Sequence, residues 1–206
     1  SPPGTGKVHW GHVLDWPTYF RERGLTWGRW DQLAGRDVVA EILPHAWDAI
    51  PDAVAMADLE HPWPLSVAEL RKQPWYPAHG SEREREEFER RYYHGFALSH
   101  TAVMEALRRK GWKTVGIYPQ AYTPTWYPLL SMVERDPETD GLPDPATHEV
   151  WLRYGREIVL SQDVLYPDHY VFYWSPQNAA YVTAQNDYDL ALVNSLPEAQ
   201  RRPYRP

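Results

Sequence analysis

The sequence predicts an α/β fold: a parallel sheet with surrounding helices, organised like a (β/α) barrel, in a single domain over residues 1–206. Three observations predict it. Short β-leaning runs alternate along the chain with segments of helical period, the order that produces parallel sheets. One of those runs ends on two carboxylates, Asp58 and Glu60, and the strand ends of α/β barrels are where such groups collect. A chain of 206 residues is also long enough to bury one sizeable core.

The opening residues, PPGTGK, imitate a phosphate-binding loop, but the first glycine of that pattern is missing and Val8 stands where a hydroxyl would hold magnesium. Nucleotide binding is therefore not expected. Lys7 to Leu14 reads as a short strand. His9, His12 and Asp15 have a helix-type ligand spacing that this β-leaning stretch with Gly11 does not support, so they read as polar residues at a strand end. Asp37 to Trp47 carries apolar residues at Val38, Val39, Ile42, Leu43 and Trp47, a helical spacing despite Pro44.

The stretch Ala53 to Pro64, AVAMADLEHPWP, is the centre of the reading. Alternation in a strand puts Val54, Met56, Asp58 and Glu60 on one face and Ala53, Ala55, Ala57 and Leu59 on the other. Pro62 and Pro64 then stop it. Ser66 to Gln73 predicts a short helix. Ser81 opens the clearest one: Ser81 and Glu84 make a capping box, Phe88, Tyr92, Phe96, Val103 and Leu107 make a buried stripe, and Gly111 ends it. Thr114 to Tyr118 is the next strand. A proline-punctuated surface connection follows, then a helix over Trp151 to Leu160, a strand over His169 to Trp174 and a final helix over Tyr181 to Ser195.

Composition narrows the function. No cysteine is present, which removes disulfides, thiolate chemistry and cysteine-bound zinc. A net charge of -7 argues against nucleic acid and anionic membranes as partners. No apolar run approaches the roughly 20 residues of a membrane span. Eleven Trp and fourteen Tyr against four Phe is a bias toward rings with a polar handle. Such rings stack on pyranose faces and bond hydroxyls, and they serve a core or an interface equally well.

In these segments the chain resembles the hyaluronidase family of glycoside hydrolases. Ala57-Asp58-Leu59-Glu60 with Trp63-Pro64 is similar to that family's Asp-x-Glu strand and its trailing Trp and Pro. SVAELRKQPW and EFERRYYHGFALSHTAVMEALRRKGWKTVGIYP resemble the helix and strand that follow, and VLYPDHYVFYW is similar to a strand with Pro-x-x-Tyr. The resemblance implies a retaining endo-glycosidase that cuts an N-acetylhexosamine-containing polysaccharide, with the substrate's own acetamide as nucleophile and no cofactor or metal. Glu60 would be the general acid/base and Asp58 would orient the acetamide. Tyr118 and Tyr170 would hold the acetamide carbonyl. Trp63, Tyr122 and Trp174 are the further candidates for sugar contact. Two carboxylates on one strand face also suit general acid catalysis, since a neighbouring carboxylate raises the pKa of one of the pair.

Only about four strands are recognisable where a closed barrel uses about eight. The expectation is thus a partial or divergent barrel lacking its last strands, with self-association or a complementing chain to cover its edges. An extracellular setting is expected. Two alternatives stand beside the enzyme. One is a non-catalytic structural or carbohydrate-binding descendant of such a barrel. The other, ranked lower, is a metal-dependent hydrolase built on His9, His12, Asp58 and Glu60.

Overall fold

The structure is a computed structural model that describes residues 7–59, 64–118, 145–165 and parts of 183–200. Its centre is a sheet of three parallel strands, β1 (Lys7–Gly11), β2 (Ala53–Asp58) and β3 (Val115–Tyr118), lying side by side in chain order with β2 in the middle. The register runs Gly11↔Ala57 between β1 and β2 and Asp58↔Tyr118 between β2 and β3.

Two crossovers join the strands. The first holds α1 (Trp16–Glu22), a 3-10 turn at Trp30–Leu33, and α2 (Val38–Ile42). Asp15 caps α1 by accepting from the Thr18 amide at 3.1 Å, and Pro17 sits in the first turn, where its missing N–H costs nothing. The helical period over 37–47 ends early because Pro44 forces a 3-10 turn at Leu43–His45. The second crossover holds α3 (Val67–Leu70), capped by Ser66, and α4 (Glu82–Arg109). The Ser81–Glu84 capping box is present as predicted: Glu84 Nα is 3.3 Å from Ser81 Oγ, and Ser81 Nα is 2.7 Å from Glu84 Oε2.

Helix α4 packs on α2, on the Trp30–Leu33 turn and on β2 and β3. Strand order that advances in one direction, with crossovers of the usual right hand, sends every connecting helix to the same side of the sheet. The side chains agree. Ala55, Ala57, Val115 and Ile117 are fully buried on that side, and His9 lies between the rings of Trp47 (4.6 Å) and Trp112 (5.7 Å). On the other side Val8 and Trp10 are half exposed, and Val54 and Met56 half-buried.

The aromatic excess goes mainly into the core. Trp16, Tyr19, Phe20, Trp30, Tyr92 and Phe96 are each at most 2% exposed, and Trp30 meets Phe20, Trp27 and Phe96 edge to face within 5.4 Å. Among the described residues Trp10 is the large aromatic that remains exposed.

After β3 comes α5 (Pro145–Leu160), longer at its start than the predicted Trp151–Leu160, which packs against α4. The chain then returns to the outer edge of β3. Val115 donates to Asp163 Oδ2 and accepts from the Asp163 amide at 2.8 Å, and the Ile117 amide donates to Gln162 Oε1 at 2.9 Å. The α/β class and the parallel sheet are as predicted. The predicted strand His169–Trp174 and most of the predicted helix Tyr181–Ser195 lie outside the described residues.

Candidate functional site

The polar strand ends form the site. Alternation leaves Asp58 on the face away from the helices, yet it is only 2% exposed. Its register partner is Tyr118, and pairing continues one residue further, where the Leu59 amide donates to the Tyr118 carbonyl at 2.8 Å. On the other flank, β1 ends at Gly11 opposite Ala57, so His12 falls opposite Asp58. Its Nε2 is 3.8 Å from Asp58 Oδ2, and its side chain is 64% exposed. His12, Asp58 and Tyr118 thus form a row across the carboxyl ends of three adjacent parallel strands, where α/β folds carry their chemistry.

Chemically the row offers an acceptor between two groups that can donate. A carboxylate held in a nearly dry position interacts strongly with positive charge that develops near it, because the local dielectric is low. The imidazole at its rim is open to solvent.

Glu60 follows Asp58 by two residues. It and Trp63, Tyr122, Tyr170 and Trp174 lie outside the described residues. What the structure does describe is how the chain is held just past Trp63. The Leu65 amide donates to the Tyr92 hydroxyl at 3.2 Å, and the Tyr93 hydroxyl donates to the Leu65 carbonyl at 2.8 Å. Two consecutive tyrosines of α4 therefore take both main-chain groups of one residue. Burial pushes the Tyr92 phenol up to about 12, so it stays protonated at any ordinary pH.

The four-residue metal reading does not survive the sheet geometry. His9 is directed to the helix side between two tryptophans, whereas His12 and Asp58 meet on the opposite side. Among the described residues no group of three or more His, Asp or Glu is arranged to hold a metal ion. A groove of 710 Å³ along the first half of α4 is lined by Tyr93, Tyr154 and ion pairs in which Arg71 meets Glu89 and Arg90 meets Glu87. Pairs of this kind on a solvated helix face explain its charge without a ligand.

Sequence reasoning read His12 as a polar strand-end residue and grouped it with Asp58 only in the metal alternative; the structure brings those two together without His9. The signal for His12 was the alternation His12–Trp10–Val8, which sets the three on the face opposite His9, but only the register shows that this face adjoins Asp58. Compared with protein-family models, with curated proteins and with solved structures, the chain finds no match.

Proposed function

We propose that this protein is a retaining endo-glycosidase that cleaves an N-acetylhexosamine-containing polysaccharide, with the substrate's acetamide oxygen attacking the anomeric carbon. The observation that carries the reading is Asp58, buried at the carboxyl end of the central parallel strand with His12 and Tyr118 on its flanks. In the proposed mechanism Glu60 protonates the leaving oxygen and then activates water. Asp58 orients the acetamide and stabilises the positive charge that spreads onto it in the cyclic intermediate. The Tyr118 hydroxyl, with that of Tyr170, holds the acetamide in position for attack. Trp63, Tyr122 and Trp174 contact the neighbouring sugars.

The architecture we propose is a (β/α) barrel, partial or divergent. Sequential strand order with helices on one side supports it, as does the return of residues 162–165 to the outer edge of β3, the side on which a fourth strand would add. The substrate is extracellular polysaccharide. A second copy or a complementing chain pairs with the edges of the sheet.

The test is hydrolysis of an N-acetylated oligosaccharide beside its de-N-acetylated counterpart. Substrate assistance requires the acetamide, so the first is cut and the second is not. Equal cleavage of both removes the mechanism. No cleavage of either by the wild type leaves the non-catalytic, carbohydrate-binding alternative.

A further inference from the structure

We infer that Trp10 is the stacking platform of a saccharide subsite whose polar rim is the row His12–Asp58–Tyr118. The inference rests on the glycosidase reading and adds to it two residues of β1 and its end. Trp10 is 55% exposed, whereas Trp16, Trp30 and Trp112 are buried and Trp27, Trp47 and Trp75 half-buried. It lies on the same face as His12, because His9 on one side of it is turned into the helix layer and the next residue of the same parity, Gly11, faces Trp47.

Register fixes the distance to the carboxylate. Trp10 pairs with Met56, two residues before Asp58 on the neighbouring strand. At about 4.8 Å between strands and 3.3 Å per residue, the two Cα positions are roughly 8 Å apart along the diagonal. That separation lets one ring lie on the indole while its neighbour reaches the strand ends, where His12 is the exposed member of the row.

The chemistry favours a sugar over a protein surface. A pyranose presents a face of C–H groups and a rim of hydroxyls, and here a flat apolar ring adjoins an imidazole, a carboxylate and a phenol. An apolar protein surface laid on Trp10 would also cover His12, which is 64% exposed, and exclude water from an imidazole whose Nε2 faces Asp58 at 3.8 Å.

The experiment is calorimetric titration of the full chain, in the Glu60→Gln background to prevent turnover, with the tetramer of β-1,4-linked N-acetylglucosamine as probe. Trp10→Ala is expected to weaken binding at least about tenfold, Trp10→Phe by less because a ring remains, and His12→Ala by about threefold. Trp10 is exposed, so these variants keep the fold, which far-ultraviolet circular dichroism checks. Binding by Trp10→Ala within twofold of the parent overturns the inference, and so does failure of the parent to bind the probe. So does a sedimentation result in which Trp10→Ala only converts a dimer to a monomer, since the occupant is then a second copy. Unchanged probe binding together with intact wild-type hydrolysis removes the subsite and leaves the enzyme. Weakened binding together with no wild-type hydrolysis does the reverse.

Discussion

Gly95 of α4 lies against the carbonyl of Trp30 so closely that a Cβ on Gly95 would fall 1.9 Å from that oxygen. This approach lets the middle of the long helix seat directly on the 3-10 turn and brings Trp30 against Phe96. Helix interiors disfavour glycine by roughly 1 kcal/mol relative to alanine, so its presence here is a packing requirement.

Gly95→Ala is expected to lower stability by about 2 kcal/mol or more even after that helix gain, because the obstruction is backbone and cannot rotate away. Gly11→Ala is the control: its Cβ would meet Trp47 at 3.5 Å, an ordinary contact. Urea unfolding of both measures the difference. Similar midpoints for the two variants would show that α4 can shift off the turn freely.

Tyr92→Phe and Tyr93→Phe each remove one hydroxyl from Leu65. Each should cost about 1–2 kcal/mol, because a main-chain group then loses its partner. The two effects should combine non-additively, since both act on one residue. Limited proteolysis between Leu59 and Ser66 should speed up in the double variant. An unchanged cleavage rate there would mean that the clamp does not hold the segment.

His100 is 2% exposed, and burial pulls its imidazole down to about 4. Its Nδ1 lies 3.2 Å from the Phe96 carbonyl and 3.0 Å from Ser99 Oγ. The native ring is neutral at pH 6, while the unfolded chain takes up a proton near pH 6.5. The unfolded state therefore binds more protons between these values, and stability falls as pH drops from about 6.5 toward 4. The contribution is about 2–3 kcal/mol by pH 4.5. His100→Gln should flatten this part of the pH–stability curve; identical slopes for variant and wild type would sink the assignment.

On an N-acetylated oligosaccharide, Glu60→Gln should lower kcat by at least about a hundredfold while substrate still binds, the usual scale of general acid–base catalysis. Asp58→Asn should also reduce kcat, since it removes the charge that stabilises the intermediate. The double variant should be little worse than Glu60→Gln alone, because both groups serve one transition state. Full activity in Glu60→Gln would falsify the role given to it.

What the sequence made legible follows from how local its signals are. The start of α4 is written in Ser81 and Glu84, three residues apart and in direct contact, so no tertiary information is needed. Ala53–Asp58 and Val115–Tyr118 were legible because strand alternation is local too. Helix α1 was missed, although its start is as local as that of α4: Asp15 caps the Thr18 amide and Pro17 sits in the first turn. The row at the site was half legible. Asp58 and Tyr118 could be put at strand ends, but the neighbour of Asp58 on its other flank, His12, is a property of strand pairing across more than forty residues. Aromatic abundance could not be apportioned at all, since a Trp in the core and a Trp on a sugar platform are the same letter.

The length of α4 has a consequence for motion. All of its buried residues lie between Tyr92 and Leu107; between Glu82 and Arg91 the helix is held by its cap, by half-buried Phe88 against Trp75 and Tyr76, and by Glu89 with Arg71 and Tyr76. The helix is continuous in geometry and divided in local stability. Amide protons beyond Phe96 are tied to global unfolding, while those of the first turns open through fraying at much lower free energy. The Leu65 clamp sits at the boundary, on Tyr92 and Tyr93. Opening that spreads from the amino end of α4 therefore reaches the chain beside the candidate acid before it disturbs the sheet that carries Asp58.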